Sequence, residues 1–307
     1  MVPAPLTGKL VSPDKARRNP IAVMIDDNAA ARPQSGLNGA DIVWHAPAEG
    51  GIPRYMAIYQ SRLGTDIGPV RSARVYYVLW ASELNALYAH SGGSPQALRM
   101  LSRYGQGEYV FDANEYRYGG GAFGRVSDRP APHNIYTDAG RMHRLGVRLG
   151  AVDRDVEPVW AFGEDLPLAE RPEGGTIKIP YPQNTVSYRY DRESNTYPRA
   201  VSGAKRQIDA ADDEQVAPDN VVIMHVKFIQ TGDSKSRLEG DIVGKGKAEI
   251  FTNGQVIKGS WKKDGDTDPT RFFDADGEPV VFNTGQTFIQ VVPTDLKVSY
   301  TEGTPVQ

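Results

Sequence analysis

Leu87-Tyr88-Ala89-His90, then Ser91-Gly92-Gly93, then Ser94-Pro95 leading into Gln96 to Arg103 and stopping at Gly105, reads as strand, loop and helix in one unit. A short apolar run bounded by a small-residue loop fits a buried strand. Ser94 is an N-cap residue type followed by proline at the first helical position, and Gly105 is a helix stop. The same alternation extends outward from this unit. Ile21-Ala22-Val23-Met24-Ile25 is an apolar strand ending on Asp26-Asp27-Asn28, and Ala40 to Trp44 and Arg54 to Gln60 are two more, separated by the turn Glu49-Gly50-Gly51-Ile52-Pro53. Ser72 predicts the cap of a helix from Ala73 to about Ala86, and Thr137 that of one running to about Leu149. Strands alternating with helices in this way predict an α/β N-terminal domain, a layered mixed sheet with helices, over residues 20–157.

Residues 1–19, proline-rich and without periodicity, are expected to form an N-terminal arm. Residues 106–136, with Gly119-Gly120-Gly121 and Arg129-Pro130-Ala131-Pro132-His133-Asn134, read as a long surface loop of the kind that carries function. Dense proline and glycine over 158–182 mark a linker or crossover. Beyond it, Val186 to Tyr190, Asn220 to Phe228, Ala248 to Phe251, Val256 to Trp261 and Thr287 to Val292 predict a β-rich, mainly antiparallel C-terminal domain over 183–307. Asn253-Gly254 between two of these runs is a strong hairpin signal.

The 307 residues are 39% hydrophobic and 24% charged, an ordinary globular balance. The absence of cysteine removes disulfides, thiolate metal sites and cysteine nucleophiles. No apolar run approaches the roughly 18 residues that span a bilayer, and Met1 to Thr7 lacks the basic start and apolar stretch of a signal peptide. The chain as given is therefore expected to be soluble. Residues 1–150 carry 15 Arg and 2 Lys against 12 acidic residues, whereas the remaining 157 carry 18 basic against 26 acidic. That balance argues against a nucleic-acid binder, which needs a strongly basic domain. The arginine preference suits two-pronged contact with phosphate or carboxylate, although codon usage explains it equally well.

Arg71 and Arg74 stand three residues apart at the predicted helix start, where cations are unfavourable for the helix itself. An anion site built from their guanidinium forks and the helix N–H groups is one explanation, and an internal ion network with Asp41 and Glu49 is the other. Asp26, Asp27 and Asp41 at strand ends could share a divalent cation through oxygen ligands, or cap their own turns. Glu49 is a candidate general acid or base, against the plainer reading of an exposed turn glutamate. His90, with Ser91-Gly92-Gly93-Ser94 after it, and His133, beside Asn134, could be drawn with Ser94 as a nucleophilic arrangement. Ser94 is, however, fully explained as a cap, and no Gly-x-Ser-x-Gly elbow is present. The glycines would instead let a ligand approach backbone N–H groups. His45, His143 and His225 carry no distinctive neighbours. Trp44, Tyr55, Tyr59, Tyr76 and Tyr77 either line a sugar site or pack the core.

Several quoted strings occur together in one known family. Asn19 to Asp26, Arg32-Pro33-Gln34-Ser35-Gly36-Leu37, Ala40 to Val43, Glu49-Gly50-Gly51, Ile67-Gly68-Pro69-Val70-Arg71-Ser72-Ala73-Arg74, His90 to Pro95 and Ala131-Pro132-His133-Asn134 resemble the YerB-like lipoprotein family. This is a bacterial family of unknown function with separate N- and C-terminal modules. Asp219 to Met224, Gly259-Ser260-Trp261-Lys262-Lys263 and Gly285-Gln286-Thr287 are similar to its C-terminal module. The resemblance implies an extracytoplasmic place, lipid-anchored to the outer face of the cytoplasmic membrane in the full-length protein, through an anchor that this chain lacks. The order of features also resembles the LytR-CpsA-Psr glycopolymer transferases. In those proteins arginines hold a polyprenyl pyrophosphate and acidic residues a magnesium ion, which here would point to Arg54, Arg71 and Arg74 and to Asp26 or Asp27 and Asp41. Gly68 to Arg74 departs from that family's Arg-Asp string.

The resulting expectation is an envelope protein that binds, and by extension processes, an anionic ligand such as a polyprenyl phosphate carrier or cell-wall glycan. The expected ligand set is an arginine-lined pocket of Arg54, Arg71, Arg74, His90, Ser91, Gly92, Gly93, Ser94, His133 and Asn134. Magnesium is the one cofactor the pattern admits. A non-catalytic adaptor that docks a cell-wall protein partner through its C-terminal β edges, and a cell-wall hydrolase using Glu49 or the two histidines, are the alternatives.

Overall fold

In a computed structural model describing residues 1–306, the chain is mostly sheet, 38% strand and 14% helix. The N-terminal strands are β1 (Ile21–Asp26), β2 (Ile42–Pro47), β3 (Pro53–Tyr59), β4 (Leu87–His90) and β5 (Phe111–Asn114), and the longer helices are α1 (Val75–Ser82), α2 (Pro95–Tyr104) and α3 (Ala139–Leu149). The later strands are β6 (Thr176–Pro180), β7 (Thr185–Arg189), β8 (Arg199–Val201), β9 (Asn220–Gln230), β10 (Leu238–Asp241), β11 (Gly244–Thr252), β12 (Gln255–Lys263), β13 (Arg271–Phe273), β14 (Thr287–Pro293) and β15 (Ser299–Thr301).

One sheet of 11 strands runs β13-β12-β11-β9-β14-β2-β3-β1-β4-β5, with β10 paired to β9. Its seam is β14, which lies parallel to β9 on one side and parallel to β2 on the other, with Phe288 opposite both Val221 and Val43. The two stretches read as separate modules thus share one sheet. The later strands are antiparallel from β9 outward through β11, β12 and β13, but parallel at β14, so the expected antiparallel pattern holds only for part of that half.

Strands buried on both faces read as unbroken apolar runs, and β1 is fully buried along its length. Its side chains alternate between two cores. Ile21, Val23 and Ile25 join Val43, Tyr55, Met142 and Leu145 beneath α3, while Ala22 and Met24 join Trp44, Met56 and Trp80 beneath α1. Trp44 and Trp80 stack with ring centroids 4.4 Å apart. A small sheet, β8-β7-β6-β15, covers a third core around Ile179, Val186, Val221 and Val292.

Several local expectations change in the folded chain. Residues 106–136 contain β5, a short helix at Glu115–Tyr118 and a two-stranded pair, Gly124–Arg125 with Ile135–Tyr136, rather than one long loop. The helix expected from Ala73 begins at Val75 with Arg74 as its N-cap, and Asp138, not Thr137, caps α3 by accepting from the Arg141 N–H. Thr137 donates to Ala122 O at 2.7 Å instead. The 158–182 stretch is tied down: Ala161–Gly163 pairs with Val281–Asn283, and Trp160 Nε1 donates to Thr270 O at 2.9 Å. The Asn253-Gly254 hairpin forms as expected, with Thr252 opposite Gln255 and φ of 53° and 69° at the two turn residues.

Ser94 accepts from the Ala97 N–H at 3.2 Å. Ser94→Ala is expected to cost about 1 kcal/mol and Ser94→Gly only a few tenths; a urea melt in which Ser94→Ala matches the parent protein would remove the capping role. Phe288→Ala, at the seam, should cost about 3–5 kcal/mol and lower one common transition. Separate melting of the two halves, with only one of them affected, would contradict a shared sheet.

Candidate functional site

The strands β1, β2, β4 and β5 all run in one direction, because β3 is antiparallel to β1 and β2 while β4 is parallel to β1 and β5. Their carboxyl ends, at Asp26, Pro47, His90 and Asn114, therefore meet one edge of the sheet. β3 starts at that edge, with Arg54 opposite Asp26. Crevices outside the carboxyl ends of parallel strands are where open α/β sheets gather polar side chains.

Two ion clusters stand along this edge. In the first, Glu49 receives both Arg54 and Arg74: Arg54 Nη2 donates to one carboxylate oxygen, and Arg74 Nη2 and Nε donate to the other, the latter at 3.0 Å. Arg54 Nη1 also donates to Ser72 O at 3.1 Å and Arg74 Nη1 to Ala73 O at 2.6 Å. Burial alone would push the Glu49 carboxyl up, but the two guanidinium groups overcome it and hold it below its usual range. A carboxylate clamped in this way is a poor general acid near neutrality. Arg54 and Arg74 are likewise taken out of any ligand set.

In the second cluster, one oxygen of buried Asp26 accepts from Arg71 Nε at 2.7 Å and faces His133 Nδ1 at 2.7 Å, while its other oxygen accepts from Asn28 N at 3.1 Å. Arg71 is delivered there by backbone pairing: its N–H donates to Met24 O at 2.9 Å and Val70 bridges Ile25. It is therefore not on the helix, and the expected Arg71–Arg74 face does not form. Among the described residues, neither the terminal nitrogens of Arg71 nor His133 Nε2 has a hydrogen-bond partner, and both side chains are partly exposed. Beside them, Ser91 Oγ donates to Glu115 at 3.2 Å, and Arg125 links Glu115 and Asn134 at 3.1 Å each.

The remaining predicted residues serve other purposes. His90 is fully buried, and both its ring nitrogens face oxygen acceptors, Gly92 O and Asp112, at 2.7 Å each. It has no free nitrogen for a ligand or a serine. Gly92, at φ +63°, carries the chain back so that Ala73 N donates to Gly92 O, and a Cβ on Gly93 would sit 3.2 Å from the Ala73 Cβ. Gly92 is backed by the Tyr116 ring and Gly93 by Ala73 and Leu98, so the space beside each is taken by the protein's own atoms. Asp41 accepts from Gln60 N, Ser61 N and Ser61 Oγ, and burial pushes its carboxyl up. Asp27 lies elsewhere, among His45 and Asn184. The three aspartates thus do not converge, and among the described residues no group of three or more His, Asp or Glu is arranged to hold a metal. Trp44, Tyr55, Tyr59, Tyr76 and Tyr77 are core residues.

Sequence reasoning missed the most connected polar cluster. Asp27 is wholly buried and accepts from Arg32, Gln34, Asn184 and His45, whose Nε2 stands 3.0 Å away. Burial lowers the His45 imidazole below its ordinary value, and its two ring nitrogens stand against Asp27 at 3.0 Å and Gln290 at 2.8 Å. Arg199, also wholly buried, donates to Tyr188 and Tyr55 at 3.0 Å each. His225 also has a partner after all, Glu249 at 2.8 Å. A histidine inside the apolar run Ile42–Pro47 was the one local sign of this network.

Comparison with known proteins agrees with this arrangement of two sequence modules. A family described as "Protein of unknown function (DUF3048) N-terminal domain" matches residues 6–150, and its C-terminal counterpart matches residues 177–289. The chain is 32% identical over 306 residues, 98% of its length and 89% of the relative's, to "Putative lipoprotein YerB" of Bacillus subtilis (strain 168). The crystal structure of YerB protein from Bacillus subtilis superposes with a TM-score of 0.88 at 30% identity, covering 98% of this chain and 100% of that one. With both modules matched and a relative aligned along nearly its whole length, the chain belongs to the DUF3048 family, alongside YerB.

Proposed function

We propose that this chain is the extracytoplasmic part of a lipid-anchored envelope protein that recognises an anionic envelope ligand, such as a polyprenyl phosphate or phosphorylated wall glycan, through Arg71 and His133. The observation that carries this reading is the shared Asp26 oxygen, which holds both side chains by their inner nitrogens and leaves their outer nitrogens toward solvent. A buried carboxylate used in this way fixes the guanidinium fork and directs Nδ1–H of the histidine at Asp26, so Nε2 faces outward as an acceptor for a ligand hydroxyl. Phosphate suits the open fork of Arg71. Four arginines, Arg54, Arg71, Arg74 and Arg125, stand along this edge, paired with Glu49, Asp26 and Glu115. The name of the relative, a lipoprotein, supports the envelope address.

Arg71→Ala should weaken binding of a water-soluble short-chain polyprenyl phosphate at least about tenfold, since a hydrogen bond to a charged group contributes about 1.5–3 kcal/mol. Because Arg71→Ala also takes a charged donor from buried Asp26, it should lower the melting temperature, as should Arg74→Ala, which strands half of the Glu49 cluster at a cost of about 3 kcal/mol; binding is therefore read at a temperature where each variant is shown by its circular-dichroism spectrum to be folded. Undiminished titration of the ligand into Arg71→Ala would sink the reading.

The Glu49 cluster also sets a pH dependence. Because its folded carboxyl lies below the ordinary value of 4.5, its stabilisation is in place above that pH and fades as pH falls through the lower folded value. Glu49→Gln should therefore melt well below the parent at pH 7, by about 2–4 kcal/mol, and the gap should narrow toward pH 3. A gap that is constant across that range would refute the assignment.

A further inference from the structure

The outward face of α3 carries Arg141, Arg144 and Arg148, all exposed and spaced i, i+3 and i+7. Like charges at these spacings destabilise a helix. Arg141 pairs with Asp138 at 2.9 Å, but among the described residues neither Arg144 nor Arg148 has a carboxylate within 4.0 Å. Two clefts meet at Arg148. One, of about 480 Å³, lies against the end of β5, with Arg117 and Arg148 among its walls and Phe111 and Asp112 beside them. The other, of about 630 Å³, is lined by Arg141, Arg144, Val147 and Arg148, with Gly121 at its margin. No atom lies within 4 Å of where a Cβ on Gly121 would sit, so that margin is clear of side chains. Among the described residues Arg117 reaches one carboxylate, Asp112 at 3.7 Å, which is already engaged by His90.

We propose that this face is a second anion site, which takes a linear chain carrying several phosphate groups in succession. Arg141 to Arg148 spans roughly 10 Å along the helix axis, farther than one phosphate bridges, and the 480 Å³ cleft continues the row past Arg148 to Arg117. Two guanidinium groups without carboxylate partners offer paired N–H donors of the right geometry for phosphate oxygens. A bound polyanion would offset the like-charge repulsion that the bare helix bears. The site rests on a different element from the Asp26 cluster and stands whether or not that reading does.

The test titrates a medium-chain polyphosphate, inorganic orthophosphate and phosphatidylglycerol vesicles into the parent chain, into Arg144→Gln with Arg148→Gln, and into Arg71→Ala. Polyphosphate is expected to bind the parent, more weakly at high salt, and at least about tenfold more weakly to the double variant, whose melting temperature should be equal to or slightly above the parent's because both side chains are exposed and their mutual repulsion is removed. Arg71→Ala should bind as the parent does. Undiminished polyphosphate binding by the double variant overturns the site, and equal loss in Arg71→Ala overturns its separateness. Orthophosphate binding as tightly as polyphosphate overturns the chain-like ligand, and vesicle binding without polyphosphate binding replaces it with a membrane surface.

Discussion

Asp27 is a carboxylate with no exposed surface, and a buried charge persists only where neighbouring donors repay its lost hydration. Its donors come from both parts of the chain: Arg32, Gln34 and His45 from the N-terminal part, and Asn184 from beyond residue 180. Burial would push its carboxyl up, but the hydrogen bond from His45 and the nearby Arg32 and Arg199 charges win, and it is held below the ordinary range. Around it, Gln290 on β14 faces His45, and Arg199 on β8 reaches Tyr55 on β3. Breaking the two parts apart would leave each with orphaned buried polar groups, so the network and the β14 seam hold the parts in one arrangement.

That arrangement explains the behaviour of the carboxyl edge. With β14 closing one side of β2, the open carboxyl ends of β1, β2 and β4 collect six of the charged or imidazole groups singled out from the sequence, Asp26, Glu49, Arg54, Arg71, Arg74 and His90, with His133 brought in by the later pair of short strands. The cations are not left bare. Glu49 takes two arginines because both guanidinium groups are largely buried and would otherwise lack a counter-charge. Arg71 and His133 differ, since Asp26 uses only their inner nitrogens, and this is the physical distinction between a structural ion pair and a positioned one.

Strands and caps were the legible part. Ile21–Asp26, Leu87–His90 and the Ser94–Gly105 helix lie where apolar runs and cap residues put them, and Asn253-Gly254 turns a hairpin. Residues 106–136 misled because β5 is only four residues long and its neighbours are glycines and polar residues, so no periodicity marks it. Arg71 was misplaced because the expected helix start at Ala73 and Arg74 does not form: the Ile67–Arg74 segment pairs with β1 and the loop before α2 instead, and a helix start gives way to those backbone bonds.

Which segments are strand, helix or turn follows from side-chain size, branching and capping chemistry acting over a few neighbours, and that much could be read directly from the residues. Which carboxylate answers which cation was decided by pairs far apart in the chain, such as Asp26 with His133 and Tyr55 with Arg199. Charge is long-ranged and its worth depends on burial, so Arg54, Arg71 and Arg74, alike in sequence, acquire different roles only when the sheet sets their depth and their neighbours.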